Sequence, residues 1–367
     1  MKLREAVSWL MGSLQRNLFH HLEECWERVL SNKEQQLVSI LELLQIERCA
    51  GRPSPHRFGR KRRERRAMAR AFVGKAVYKH PTTRATIEAL RASRVFRGIC
   101  GFVRRKDIPS EATFSRAFAE FAVKGLGDRV HEALVVQWVT PELVGHISRD
   151  ATAIEGREKP TAKPKPPKPA PRKKGRPRRG EVREPKPETR LERQCRQSAS
   201  EALAELPVYC DVGTKKNSKG YKESWIGFKL HADVTDCCLP ISLALTAASL
   251  HDSQVAIPLM KMTSQRVDYL YDVMDAAYDA RPIYEVSRSL GHVPIIDKNG
   301  RGKGVIPMAP HEAARYRERS VAERFNSRLK EDFGAGNVMV RGAEKVRLHL
   351  MFGVIALFAD QLLKLIN

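Results

Sequence analysis

The chain has 367 residues, 42% of them hydrophobic, which is enough for two or three domains and a sizeable core. Lys and Arg total 66 against 42 Asp and Glu, a formal charge of +24 that calls for a polyanionic partner. Nucleic acid comes before an anionic membrane, because no basic amphipathic anchor dominates the pattern.

Seven cysteines (Cys25, Cys49, Cys100, Cys195, Cys210, Cys237 and Cys238) are odd in number and form no CxxC pair. That spacing argues against a disulfide framework or a zinc ribbon, and for reduced, mostly buried thiols in a cytoplasmic protein. The opening MKLREAVSWLMGSLQRNLF is broken by polar residues too often for a signal peptide. The late apolar run 348–366 carries His349, Asp360, Gln361 and Lys364, and reads as an amphipathic core helix with no membrane involved.

In chain order, residues 1–75 read as a helical region ending in a basic stretch. LVSILELLQI has helical spacing, and nine cations against Glu64 alone occupy 52–70. That run suits either a solvated face or a stripe contacting phosphates. Residues 76–140 read as a second helical unit. One helix ends near Gly101, and another restarts at SEATFSRAF with Ser110 as its N-cap. The pair suits a DNA-reading helix-turn-helix, with Thr113, Ser115 and Arg116 at the start of the second helix, or equally a pair that binds nothing.

The remainder, 141–367, reads as an α/β domain interrupted by a disordered basic insert at 157–205. Within 157–193 nine prolines and fifteen cations face five Glu, a composition that cannot bury enough apolar surface to fold. Inside it, PRKKGRPRRG centres on Arg176 in a pattern like an AT-hook, an extended peptide whose arginines enter a narrow minor groove. A generic basic tether is the alternative. Beyond 206, WIGFKLHADV, LPISLALTAA, VDYLYDVMD and HVPIIDKNG read as strands around a helix in HDSQVAIPLMKM.

Within YRERSVAERFNSRLKEDF, Tyr316, Arg319, Glu323 and Lys330 share one face of a long helix over 312–332, opposite Val321, Phe325 and Leu329. One face would pack on the sheet while the other offers an acid among a phenol and two cations. Asp275 should project from the carboxyl end of a strand, where open α/β sheets place their sites. Asp272, inside the strand on another face, and Asp279, as a cap, compete with it. Asp150 follows the short strand LVGHISR, and Asp211, beside a Gly/Asn/Ser turn, is its rival.

These residues together resemble the DDE transposases of bacterial insertion sequences. The branch is the one marked by Tyr, two residues, Arg, three, Glu, six, Lys, here Tyr316, Arg319, Glu323 and Lys330. The Asp-x-Thr at Asp150, GFKLH at 227–231, His251-Asp252-Ser253 and DAAYDA at 275–280 extend the resemblance. Ala277 stands where the last motif often has Gly.

The resemblance implies a ribonuclease H-like catalytic domain. It implies Asp150, Asp275 and Glu323 as catalytic ligands of two Mg²⁺ ions, with Mn²⁺ as the substitute. Tyr316, Arg319 and Lys330 would hold DNA, with Arg176 and Arg116 as further DNA contacts. Lys229, His231, His251 and Asp252 would support the site. Element ends and target DNA would be the partners, handled by a homodimer or larger assembly in the bacterial cytoplasm, at the nucleoid when bound. The rival readings are a hydrolytic nuclease of the same fold and a DNA-binding protein that no longer cuts.

Overall fold

A computed structural model describes residues 29–51, 64–162, 188–216, 219–300 and 307–366. Residues 1–28 of the first helical region, most of the basic run and the Arg176 motif lie outside these residues, while LVSILELLQI falls on the first described helix.

The helical region comprises α1 (Asn32–Leu44), α2 (Arg65–Val77), α3 (Thr83–Ala92), α4 (Arg94–Cys100), α5 (Glu111–Val123) and α6 (Leu126–Trp138). Ser31 starts α1 through a reciprocal cap, its amide donating to Glu34 at 2.8 Å while its hydroxyl accepts the Glu34 amide. The helix expected to run to Gly101 does end there, with φ 91° at that glycine. Ser93 splits it: the backbone turns extended and the hydroxyl accepts the Phe96 amide at 3.0 Å, opening α4. Ser110 occupies the N-cap of α5, though its hydroxyl bonds Thr113 Oγ1 rather than a backbone amide. Two cations of the basic run are engaged, Arg65 with Glu120 at 2.9 Å and Arg70 with Glu47 at 3.1 Å. That part of the run is a set of ion pairs rather than a free stripe.

After α6 the chain enters β1 (Val144–Glu155), 12 residues long and extending well past the short run LVGHISR, with Asp150 inside it rather than near its end. The expected disordered insert is partly ordered. Residues 190–204 form α7 (Arg190–Arg196) and α8 (Ala199–Ala204), each opened by a capping box, Thr189 with Glu192 and Ser198 with Glu201. Gln194 is fully buried against the following domain, and Lys261 Nζ donates to the Gln194 and Cys195 carbonyls at the end of α7.

The sheet continues with β2 (Asp211–Lys216), β3 (Lys222–Thr235), β4 (Pro240–Ala247), β5 (Tyr269–Met274) and β6 (Val293–Ile296), while α9 (Ser253–Ser264) and α10 (Arg281–Ser289) make the crossovers. Strand order is β2-β3-β1-β5-β6, with β4 also paired to β3. β3 runs antiparallel to β1, whereas β5 and β6 run parallel. This is the ribonuclease H-like mixed sheet flanked by helices, preceded by an all-α region. Gly227 permits the tight end of the β1–β3 pair, because at its φ of 151° a side chain would strike the Ile154 carbonyl.

The long helix expected at 312–332 is three pieces: α11 (Pro310–Tyr316), a 3₁₀ turn at Arg317–Arg319, and α12 (Ser320–Glu331). Val321, Phe325 and Leu329 are fully buried on the sheet, as their spacing required. The last helix, α13 (Ala343–Ile366), is long and apolar enough to cross a membrane, but 67% of its apolar window is buried inside the protein. It is enclosed rather than amphipathic, with residues from Val346 to Leu362 in the core. Phe352 of α13 stacks on Phe72 of α2, which also meets Phe114, Phe118 and Phe121 of α5 edge-on, so the helical region shares this helix with the sheet.

Under the sheet, Arg149 is completely buried. It donates to both oxygens of Asp233 at 2.7 and 2.6 Å and to Asp272 at 3.3 Å. Thr263 completes Asp233 at 2.6 Å, while Ser287 and Tyr269 complete Asp272 at 2.6 and 3.1 Å. Asp272 thus sits on another face than Asp275, as the sequence suggested. Replacing Arg149 with Met would leave two buried carboxylates without their cation. We expect a loss of about 3–5 kcal/mol in chemical denaturation; an unchanged midpoint would show that the three strands are held by packing alone.

Candidate active site

Side chains alternate along a strand, so the residue after Arg149 points to the opposite face. That residue is Asp150. Register places Ser148 beside Val273; carried two residues further it brings Asp150 toward Asp275, the residue just after β5, whose charge acts on Asp150. Asp275 caps the 3₁₀ turn at Ala276–Tyr278, its Oδ1 accepting the Ala277 amide at 2.9 Å. Asp150 Oδ2 accepts from Asn326 Nδ2 of α12 at 3.0 Å, which lays that helix over the pair.

Burial pushes the Asp150 carboxyl up to about 6, and the neighbouring Asp275 and Asp252 carboxylates add to the rise against Arg319 and the Ala151 amide. Asp275 is raised for the same reasons, burial first, with Asp252 and Asp297 contributing. Asp252 is held by Lys229 at 2.8 Å. Tyr278 is fully buried in the field of Asp252, Asp150 and Asp275, and its hydroxyl has no hydrogen-bond partner among the described residues.

Glu323 stands apart. It is more than half exposed and accepts from Arg319 at 2.5 Å, one turn back. Arg319 in turn feels Tyr316 and Asp150, so it lies between Glu323 and the aspartates. Among the described residues no three His, Cys, Asp or Glu side chains come close enough together to hold a metal ion. Two of the three expected acids are therefore brought side by side, and the third is turned onto its own helix.

Tyr316 lies under Arg319 and within reach of the Asp275 and Asp297 fields. Lys330 is further along α12, lowered by burial, near Glu155 and Asp150, and lines a cavity of about 270 Å³ with Trp225. It forms no ion pair among the described residues. Arg116 is exposed on α5, far along the chain from this group, and folds back on Ala112 and Thr113.

The rival Asp211 opens β2, which reaches β1 only through β3, and it is bonded by Ser249. Asp279 accepts from Tyr284 and the Asn299 amide and serves as a cap. His231 is sealed in the sheet against Thr246 at 2.9 Å, which removes it from any DNA contact, while exposed His251 bonds Ser253. Asn326 and Tyr278 were missed. Asn326 follows Glu323 by three, on the same helical face, and that spacing was the available signal.

Two comparisons bear on this arrangement. The family described as "Transposase DDE domain" matches residues 181–359, and that described as "Transposase domain (DUF772)" matches 24–120. The chain belongs to the DDE transposases. The two matches cover most of the transposase but leave out 121–180, so Asp150 is joined to the matched motifs by geometry alone. No curated protein and no solved structure matches the transposase.

Burial of the Asp150 carboxyl makes the stability of the fold depend on pH. Its folded pKa near 6 exceeds the unfolded value of about 4. Below about pH 4 the carboxyl is protonated in both states. As pH rises through the window from about 4 to 6, the unfolded chain releases the proton first and the fold loses stability. Asp150→Asn should therefore raise the melting temperature of the metal-free transposase at pH 7 but not at pH 4, by about 2–4 °C for each kcal/mol recovered. Calorimetry in a chelator tests this; a gain equal at both pH values would mean that the carboxylate is not under strain.

Proposed function

We propose that this transposase cleaves and joins DNA strands at a divalent-metal site made by Asp150, Asp275 and Glu323, as in the branch with the Tyr316, Arg319, Glu323 and Lys330 signature. What supports the reading is a single observation: two carboxylates from distant parts of the chain sit near each other, desolvated, with no ion pair to a cation among the described residues. Such a pair suits a hard cation, Mg²⁺ or in its place Mn²⁺. The orphaned Tyr278 hydroxyl beside them also fits a site that awaits an external group.

Asp150 and Asp275 would hold the metal, and Glu323 would join once Arg319 turns from it to a DNA phosphate. When bound, two such ions supply activation of the attacking oxygen and stabilisation of the leaving one. The protein's own residues bind and orient. Arg319 and Tyr316 lie beside the acids to grip the phosphate at the cleaved end, and Lys330 is free to take the next. Asn326 fixes Asp150 toward the helix. No protein nucleophile is required. Water attacks the phosphorus and the 3′ oxygen leaves as a 3′-OH; that 3′-OH then attacks a phosphorus of target DNA, displacing a target 3′ oxygen. Two ends must be held together for this, so a dimer or larger assembly forms on DNA.

Asp150→Ala, Asp275→Ala and Glu323→Ala should each reduce Mg²⁺-dependent nicking of element-end DNA to background while duplex binding persists. Full activity in one variant would remove that residue from the site. Supplying a pre-cut 3′-OH end with target DNA should yield joined products; hydrolysis without joining would make the protein a nuclease.

A further inference from the structure

A second cationic hollow lies away from the carboxylates, where the helical region meets the segment leading into α13. It is a cleft of about 400 Å³. Lys75 of α2, Arg157 just beyond β1, and Arg341 and Lys345 at the start of α13 line it, and Glu111 and Ser115 at the start of α5 form one wall. None of these four cations forms an ion pair with a carboxylate among the described residues. The one acid of the lining, Glu111, is engaged by Arg84 at 3.2 Å. The nearby Glu158 does not line the cleft and is bonded to the Gly342 amide.

Lys75 is the informative member. Its side chain is partly buried with no counter-ion among the described residues, and burial pushes its pKa down to about 8. Holding a buried cation unpaired is costly unless an anion arrives to compensate it. The other three cations are exposed and converge on the same space from separate elements. Ser115 adds a hydroxyl donor from the helix that would face DNA.

We propose that this cleft binds the phosphodiester backbone of duplex DNA, clamping one strand between the helical region and the start of α13. The four cations supply charge-assisted contacts without reading bases, so the cleft sets the position of the duplex relative to α5. The proposal rests on DNA being the substrate but not on the carboxylate site, and Asp275→Ala should bind in the cleft as the parent does.

The test uses the full chain and a short duplex of arbitrary sequence. Arg341→Ala/Lys345→Ala changes only exposed side chains and should lower the slope of log affinity against log salt by about 2. In parallel, amine acylation read by mass spectrometry should show Lys75 and Lys345 protected at least about fivefold by duplex at low salt, with protection lost at high salt. An unchanged slope together with unprotected Lys75 would overturn the proposal. Equal protection by millimolar inorganic phosphate alone, with the slope unchanged, would make the cleft a small-anion site and overturn it too. No Mg²⁺-dependent cleavage by the unsubstituted chain, with protection intact, would count against the metal-site reading and leave this one standing.

Discussion

The structure turns on a guanidinium held between two carboxylates with no water around it. Arg149, Asp233 and Asp272 come from three adjacent strands, and a slip of one residue in any of them would turn one partner to the opposite face. Leaving a fully buried charge unpaired is among the most expensive errors a core can contain. The triad therefore selects one register, and that register brings Asp150 next to Asp275 on the reverse side. The charged group that secures the sheet and the charged group that would do chemistry are consecutive residues of β1, separated only by the pleat.

The two faces handle charge in opposite ways. Below the sheet, every carboxylate oxygen of Asp233 and Asp272 has a donor. Above it, Asp150 and Asp275 have few donors, and burial with the field of neighbouring carboxylates, Asp252 for both, raises their carboxyls. The satisfied side stabilises and the unsatisfied side gives up stability, as expected where binding energy is reserved for something arriving from outside. Arg319 is the hinge of this arrangement, since it moderates both aspartates while holding Glu323 on the helix.

Much of this was legible before any fold was available. The burial of Val321, Phe325 and Leu329 followed from helical period, and the separation of Asp272 from Asp275 followed from strand alternation. Position along β1 was less legible. Polar Ser148, Arg149, Asp150 and Thr152 interrupt the apolar pattern, Arg149 serving the buried ion network on one face and Asp150 the carboxylate pair on the other, so the strand looked shorter than it is. The helices at 190–204 were hidden by the proline-rich composition beside them, although both capping boxes were visible letter by letter. The break at Arg317–Arg319 carries no proline or glycine and could not be read from sequence. The turning of Glu323 onto Arg319 depends on a choice between two nearby partners, which spacing does not decide.

The enclosed helix α13 has a consequence for how the chain matures. Its Phe352 fills the aromatic nest of α2 and α5, and its Asp360 accepts from Arg328 of α12 at 2.6 Å and from Lys364 at 3.0 Å. Ribosomes deliver it long after the helices it completes. Until then those helices expose a Phe-lined hollow, and α12 lacks its anchor. The contacts that close the helical region and the one that anchors α12 are thus made by the same late segment.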